Sequence, residues 1–301
     1  VLAQYKWPNS VETDFIYGSS SIGMSLDARF LAAFSAAAGR KSTPYTASDD
    51  TDPEWGCWNA QHESEDPSIG IVFPTIQRVK SGKDGTLPYS NLLSFAESTW
   101  ERLKSAKILH DAVPYPRERV GCPMHTKVAR RRFQYSSSMP SFGWIYCGSH
   151  NFSPAAWGRP MFKPTDSKAA TSAGLVLGST LHICNYEIGL IFIVPPPEDP
   201  NLTKDYGDLD NFTLPFVVPA PKYTGSDRPA TSKAMHEARI EMLNLQQMDE
   251  TKAVECLELD IEEAPIEDAH GEGLGKGGQE EEEEERVYAE TLWNQFDSCH
   301  T

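Results

Sequence analysis

Two short segments of the sequence bring together side chains that suit chemistry on a phosphodiester. The first holds His125 and Lys127, one residue apart, and the second spans residues 148–153 with the sequence GSHNFS. On an extended strand, side chains two residues apart share a face, so His125 and Lys127 point the same way. The same spacing groups three polar side chains of the second segment, Ser149, Asn151 and Ser153. An imidazole moves protons near neutral pH, while an ammonium and an amide hold non-bridging oxygens, so the sequence predicts a phosphodiester site.

A zinc site is the competing interpretation of these segments. Cys122 and His125 are three residues apart, as are Cys147 and His150, and zinc ligands often have this spacing. Residues three apart on a strand face opposite sides, so both pairs would need tight turns. His125 also cannot serve as a ligand and as an acid at once. We therefore favour phosphodiester chemistry and predict no metal or other cofactor.

Local patterns predict the elements that position these residues. The predicted strands lie at 14–23, which runs into a Ser/Gly loop, and at 71–73, 124–133 and 143–148, with a strand pair in 181–194. The predicted helices are 26–38, with Ser25 as its N-cap, then 91–109 and 231–248. Strands that alternate with helices indicate a layered α/β domain.

The charge of the chain divides it into two parts. The net charge of the 301 residues is −16, yet residues 1–248 carry 25 acidic and 24 basic side chains, whereas 249–290 carry 17 and three. Six consecutive glutamates lie in the second part, which has too few apolar residues to offset chain entropy. We predict a globular domain over 1–247 with a surface insertion at 40–69, and a largely disordered acidic tail over 248–301. We interpret the tail as a solvated spacer, with mimicry of nucleic acid as the alternative.

Several classes of protein are excluded by composition. The longest apolar stretch, 188–194, is far shorter than the roughly 20 residues that span a bilayer, so we expect no membrane association. The six cysteines are scattered and form no CxxC pair, which favours reduced thiols. The sequence has no visible leader and opens on Val1 rather than a methionine, so we expect it to be part of a longer chain.

Motifs distributed from about residue 15 to 229 resemble the tyrosyl-DNA phosphodiesterase branch of the phospholipase D superfamily. The pair HxK and GSxN resembles the signature of that superfamily. Arg132 stands at the position of the usual Asp, five residues after the lysine, and the absence of this Asp is itself a feature of the branch. Six further segments resemble motifs of the branch in the order of the chain, at 20–23, 73–76, 85–90, 151–158, 185–192 and 223–229.

The resemblance implies a phospholipase D-like layered fold, with a mixed sheet flanked by helices in each of two similar lobes. Each lobe gives one His, Lys and Asn to a central cleft, and hydrolysis proceeds through a covalent phosphohistidine without metal. This chain is similar to the second lobe. His125 is then the general acid/base, Lys127 and Asn151 bind phosphate, and Glu187 orients the partner histidine.

The resemblance also implies DNA contacts, a substrate and a location. The residues implied to contact DNA are Ser20, Ser21, Gly23 and Ser153, with Ser149, Arg130 and Arg131 as further candidates. The implied substrate is a DNA 3′ end that carries a covalent protein or peptide adduct, chiefly the tyrosine left by topoisomerase I. The implied location is the nucleus, and the implied role is DNA repair.

The sequence departs from the family in one respect, since residues 1–301 contain no second HxK. Three alternatives follow: a fragment of a complete enzyme, a homodimer that joins two half-sites, or a non-catalytic half that binds DNA ends. A general phospholipase D-type nuclease acting as a homodimer is a broader alternative. We favour the fragment, with the N-terminal lobe as its missing partner.

A run of basic residues accompanies the predicted site. Six bases lie between Arg117 and Arg132, against one acid, Glu118. Beside a phosphodiester site this run favours a groove that follows a DNA backbone, and a solvated strand edge is the alternative.

Overall fold

The computed structural model of the chain describes residues 2, 5–8, 11–24, 26–38, 58–82, 85–89, 92–161, 180–197 and 207–258. Its strands are β1 (Glu12–Gly18), β2 (Ser21–Ile22), β3 (Gly70–Phe73), β4 (Ser94–Phe95), β5 (Leu109–Asp111), β6 (Lys127–Gln134), β7 (Phe142–Gly148), β8 (Arg159–Met161), β9 (Thr180–His182) and β10 (Gly189–Val194). Its α-helices are α1 (Ala28–Ala37), α2 (Ala60–Glu65), α3 (Ile76–Lys80), α4 (Glu97–Leu103), α5 (Pro154–Trp157) and α6 (Ser232–Glu258). None of the helices in these described ranges is long and apolar enough to cross a membrane.

Six strands form one mixed sheet in the order β10-β7-β6-β1-β3-β5. The strands β1, β3 and β5 run parallel, while β6 is antiparallel to both β1 and β7, and β7 to β10. Gly18 lies opposite Val128, Lys127 opposite Gly148, and Gly148 opposite Gly189. β1 and β7 therefore end, and β6 and β10 begin, at the same end of the sheet, which is here called its functional end. The predicted α/β class, a mixed sheet flanked by helices, is confirmed.

Alternate residues of the strands enter two apolar clusters, one on each face of the sheet. In β1, Phe15 and Tyr17 belong to the first cluster and Ile16 to the second. Helices cover the first face through Phe30 of α1, Val79 of α3, and Ala234 and Met235 of α6. The second face is covered by the segment that contains Leu209, Leu214, Phe216 and Ala220. Both faces are thus anchored, which fixes the direction in which the strand ends present their side chains.

The helix predicted over 26–38 exists but has a different cap. It runs from Ala28 to Ala37, and the carboxylate of Asp27 accepts a hydrogen bond from the Phe30 amide at 2.7 Å. Aspartate caps a helix as well as serine does, and Asp27 immediately precedes the first helical residue. Ser25, the predicted cap, lies outside the described residues.

The helix predicted over 91–109 is wrong. Leu93 and Phe95 are buried while Ser94 between them is exposed, which is the alternation of a strand, and Ser94–Phe95 pairs with β2. Only the seven residues of α4 are α-helical, and Lys107 in the left-handed conformation (φ 53°) ends the helical segment before β5. The apolar positions that suggested one helical face are divided between a strand and a short helix.

Three other predicted elements have different bounds. The strand predicted at 124–133 begins only at Lys127, and the one at 14–23 is interrupted by Ser19 and Ser20. The predicted pair in 181–194 is not a hairpin, because β9 pairs with β8 and β10 pairs with β7. Register with distant strands decides these bounds, so the local pattern does not reveal them.

The two predicted surface regions also differ in part. Of the insertion predicted at 40–69, the described residues 58–69 include α2 and the fully buried Glu63, so they belong to the body of the domain. Residues 40–57 lie outside the described residues. Contacts divide the chain into two units, 1–247 and 248–301. The helix α6 continues to Glu258, so the first residues of the predicted disordered tail are helical, and 259–301 lie outside the described residues.

A substitution at Gly143 can test how closely β6 and β7 approach each other. Its φ is +142°, and an added Cβ would lie 2.0 Å from the carbonyl oxygen of Arg131. We expect Gly143→Ala to lower the free energy of unfolding by about 2 kcal/mol or more, measured by urea denaturation. Gly225→Ala is the control, because its Cβ would meet nothing within 4 Å. Equal losses of unfolding free energy in the two variants would contradict the expectation that a Cβ at position 143 strains the backbone.

Candidate active site

Lys127 folds back onto His125 at the functional end of the sheet. Its Nζ lies 3.2 Å from His125 Nε2 and donates a hydrogen bond to the His125 carbonyl oxygen at 2.9 Å. Lys127 is buried, with 5% of its surface exposed, whereas His125 is exposed. His125 precedes β6 instead of lying within it, so the contact with Lys127 results from this bend of the lysine and not from a shared strand face.

Burial lowers the pKa of both groups, and the charge of Lys127 lowers that of His125 further. Burial, and then the neighbouring ammonium of Lys127, lower the pKa of His125 below its ordinary value. Burial lowers the pKa of Lys127, and the carboxylate of Glu187 partly opposes this. An imidazole with a lowered pKa is neutral at neutral pH, and once it has accepted a proton it is a stronger acid than an ordinary histidine.

Asn151 lies where β1 ends, three residues beyond the last residue of β7. Its Oδ1 accepts hydrogen bonds from the hydroxyls of Ser19 (3.4 Å) and Ser20 (3.3 Å). With Oδ1 occupied by these two donors, the Nδ2 amide group is the part of the side chain oriented to donate to an anion.

Glu187 occupies the chain just before β10, beside the same end of the sheet. Its Oε1 accepts a hydrogen bond from Asn185 Nδ2 at 3.0 Å, and the hydroxyl of Ser149 also donates to the carboxylate. Burial by itself would raise the pKa of Glu187, but these hydrogen bonds hold it below the ordinary value. The nearby charges of His150 and Lys127 act in the same direction. The carboxylate is therefore ionised at neutral pH.

The four residues implied to contact DNA lie together at this end. Ser20 is buried against Asn151, and Ser21 is half-buried in β2. The amide of Gly23 donates to the Phe152 carbonyl at 3.0 Å, and a Cβ at Gly23 would lie only 2.7 Å from that of Ser153. Ser153 caps α5 by accepting from the Ala156 amide at 3.2 Å. Within this chain these groups hold the loop together, and their contact with DNA stays a prediction.

The three candidate residues outside that group have different environments. Ser149 is exposed and joins β7 to β10, since its hydroxyl accepts from the Ile188 amide at 2.9 Å. Arg130 is buried and pairs with Asp14 at 3.1 Å and Asp210 at 3.4 Å.

Arg131 is buried as well, and burial lowers its pKa to about 10. Its guanidinium carbon lies 5.2 Å from the ring centre of Phe133. Arg130 and Arg131 therefore point into the protein, which argues against the predicted DNA-following groove at these two positions, while Arg117 and Arg119 are exposed.

The zinc interpretation gains no support. In the part of the chain that the structure describes, no three His, Cys, Asp or Glu side chains converge as metal ligands. His150 Nδ1 instead lies 2.5 Å from the hydroxyl oxygen of Tyr146.

Sequence reasoning gave Tyr146 no role, and it considered His150 only as a zinc ligand. His150 occupies the variable position of GSxN, between Ser149 and Asn151, and faces Glu187 closely enough to lower its pKa. The signal that could have indicated their role is a tyrosine and a histidine four residues apart, with the histidine directly before Asn151.

A mixed sheet that gathers His125, Lys127 and Asn151 at one end defines a phospholipase D-like α/β domain. The family model described as tyrosyl-DNA phosphodiesterase matches residues 1–224, and the chain therefore belongs to the tyrosyl-DNA phosphodiesterase family.

Solved structures similar to this chain include yeast tyrosyl-DNA phosphodiesterase. A histidine-to-asparagine mutant of that protein is 19% identical, with a TM-score of 0.47, and the match covers 73% of this chain and 50% of that one. A second structure of the yeast protein is 18% identical, with a TM-score of 0.44 and coverage of 73% and 49%. The chain thus spans about half the length of these proteins. A search of curated proteins found no match.

The neighbouring ammonium predicts a specific change in the titration of His125. We expect Lys127→Met to raise the pKa of His125 towards its ordinary value, because removing a positive charge stabilises the imidazolium. Titration of the imidazole resonances by NMR measures this pKa. The exposed Lys222→Met serves as the control and should leave it unchanged. A pKa of His125 that does not rise in Lys127→Met would contradict the electrostatic coupling.

Proposed function

We propose that this chain is the C-terminal catalytic lobe of a nuclear DNA-repair phosphodiesterase. The enzyme hydrolyses 3′-phosphotyrosyl and related adducts on DNA, and this lobe supplies the general acid/base half of the site. The observation that carries the proposal is the contact of His125 with Lys127 beside a fixed Asn151, in a chain of the tyrosyl-DNA phosphodiesterase family.

The proposed reaction has two steps. A histidine of the missing lobe attacks phosphorus in the enzyme form whose His125 is protonated, and the bond to the tyrosine oxygen breaks while His125 donates its proton to that oxygen. His125 then takes a proton from water, which attacks the phosphohistidine and releases a 3′-phosphate. No metal ion is needed in either step.

The other groups act on the phosphate and on the nucleophile. Lys127 and the Nδ2 group of Asn151 bind the non-bridging oxygens as negative charge develops there. Glu187, ionised and held by Asn185, accepts a hydrogen bond from the attacking histidine and orients it. The buried position of Lys127 strengthens its attraction for phosphate, because the local dielectric is low.

The proposed site needs a second lobe to be complete, and the exposed surface of β10 indicates where this lobe binds. β10 is an edge strand of the six-stranded sheet, and Leu190, Ile191 and Phe192 are exposed on it. Four more large apolar side chains precede them, Leu181, Ile183, Tyr186 and Ile188, all at least half exposed. A long apolar edge strand left uncovered promotes association, and this one begins beside Glu187. We propose that the missing lobe packs here.

The chemistry is tested in EDTA with a single-stranded oligonucleotide that ends in 3′-phosphotyrosine. We expect no turnover by the 301-residue chain alone and turnover by the enzyme that also contains the missing lobe. In that complete enzyme, His125→Ala should lower kcat by about 10²–10⁴-fold, since it removes the general acid/base. The exposed His236→Ala is the matched control and should have no effect.

The outcomes separate the alternatives. Cleavage by the isolated chain that depends on His125 would indicate a homodimer instead of a fragment. Unchanged kcat in His125→Ala would contradict the assigned role. Absence of turnover in every assembly, with salt-dependent DNA binding, would favour the non-catalytic alternative.

The proposed lobe interface predicts that a charge on β10 has different effects in the two forms of the protein. In the isolated chain, Leu190→Asp lies on the surface and should change the free energy of unfolding by less than about 0.5 kcal/mol. In the complete enzyme the same carboxylate would be buried, so we expect a loss of several kcal/mol, measured by urea denaturation. Leu87→Asp, at a residue 60% exposed and away from β10, should be neutral in both. Equal changes of the unfolding free energy for Leu190→Asp and Leu87→Asp in the complete enzyme would mean that the missing lobe does not pack on β10.

A further inference from the structure

The loop that carries Asn151 is held at His150 by two tyrosine hydroxyls. Tyr17 donates to the carbonyl oxygen of His150 at 2.8 Å, and the amide of His150 donates to the Tyr146 hydroxyl at 3.3 Å. Trp157 Nε1 in turn donates to the Tyr17 hydroxyl at 2.9 Å. Both peptide groups that flank His150 are therefore fixed by side chains of the strands β1 and β7.

The imidazole of His150 is fixed as well. Its Nδ1 lies 2.5 Å from the Tyr146 hydroxyl oxygen, and its ring centre is 4.3 Å from that of Trp157 at an angle of 31°. The Tyr146 hydroxyl already accepts from the His150 amide, so its own proton is free to be donated to Nδ1. The neutral ring then carries its proton on Nε2.

Two glycines make room for Tyr146 to reach His150. A Cβ at Gly148 would lie 2.1 Å from the Tyr146 hydroxyl oxygen, and one at Gly189 would lie 2.1 Å from Cε2 of the same ring. These glycines are opposite each other in β7 and β10. The tyrosine ring thus lies over the functional end of the sheet, in space that any other residue at these two positions would fill.

The groups around His150 keep it neutral. Burial lowers its pKa, and the carboxylate of Glu187 partly opposes that effect. The other titratable groups against it are Tyr146 of β7 and Tyr17 of β1, and burial raises the pKa of both. A protonated ring would have N–H on both nitrogens and could not accept from Tyr146.

The fixed backbone of His150 also limits the positions that Asn151 of the phosphate site can take. Asn151 is the next residue, and Ser19 and Ser20, which directly follow the strand that holds Tyr17, donate to its Oδ1. Loss of the Tyr146–His150 contact would leave Asn151 held from the β1 side alone.

We propose that His150 is a positioning residue which, clamped by Tyr146 and Trp157, holds Asn151 in the orientation that binds phosphate. The proposal rests on the proposed function, because it assigns the phosphate site to Asn151 and Lys127. Tyr146 and His150 then act as one unit, so removing either member frees the loop on the β7 side.

The test uses the 301-residue chain and an oligonucleotide with a 3′-phosphate, with affinity measured by fluorescence anisotropy. Tyr146→Phe and His150→Ala should each weaken binding by about tenfold, and the double variant should be no weaker than either single one. Tyr115→Phe, at an exposed tyrosine, is the control for loss of a hydroxyl. Unfolding midpoints identify a variant that fails to fold, in which case the other single variant decides.

A second measurement reports on positioning directly. NMR of the imidazole nitrogens should find the Nε2–H tautomer of His150 in the unmodified chain and a mixture of tautomers in Tyr146→Phe. In the complete enzyme the two single variants should lower kcat as well as weaken substrate binding, since Asn151 acts both on the bound phosphate and on the charge that develops in the transition state.

The outcomes distinguish the positioning role of His150 from the proposed phosphate site on which it rests. If Lys127→Ala weakens binding but Tyr146→Phe and His150→Ala do not, the positioning role is wrong and the phosphate site stands. If the losses of the two single variants multiply, the residues act separately, which also overturns the proposal. If Lys127→Ala binds as well as the unmodified chain, the phosphate site itself is wrong.

Discussion

The register of β6 against β7, with Lys127 opposite Gly148, is the constraint on which the whole site depends. Side chains alternate between the two faces, so a slip of one residue would turn Lys127 to the opposite face from its partners. Apolar residues on both faces of the sheet prevent such a slip, because it would expose the residues of two cores at once. The position of a polar site is therefore determined mainly by apolar packing.

Charge at the functional end is balanced by burial and by short-range contacts. The buried Lys127 is near an ionised Glu187, and this attraction offsets part of the desolvation that lowers its pKa. A similar arrangement inside the sheet pairs the buried Arg130 with Asp14 and Asp210. The two sets have different consequences. Arg130 has two carboxylate partners within the chain, whereas under the proposed function Lys127, His125 and Asn151 bind the phosphate of a substrate.

Under the proposed function, the exposed edge strand and the single His-Lys pair are both explained by a missing lobe. β10 presents apolar side chains where a stable monomer would have charged ones, and it begins next to the carboxylate that would orient a second histidine. One protein surface that covers β10 would at once bury this edge and deliver a nucleophile to Glu187. Assembly and chemistry would then depend on the same contact.

The sequence by itself determined the family, the α/β class and the identity of the residues that converge, because the motifs HxK and GSxN name side chains whatever their surroundings. The tertiary structure decided how they are used. Arg130 and Arg131 have the composition of a DNA-binding run, yet long-range pairing in β6 turns them inward. Ser94 and Phe95 lie in a helix-like pattern, yet pairing with β2 makes them a strand. Tyr146 reaches His150 only because Gly148 and Gly189 meet across two strands, and the pairing of two glycines so far apart in the chain leaves no local signal.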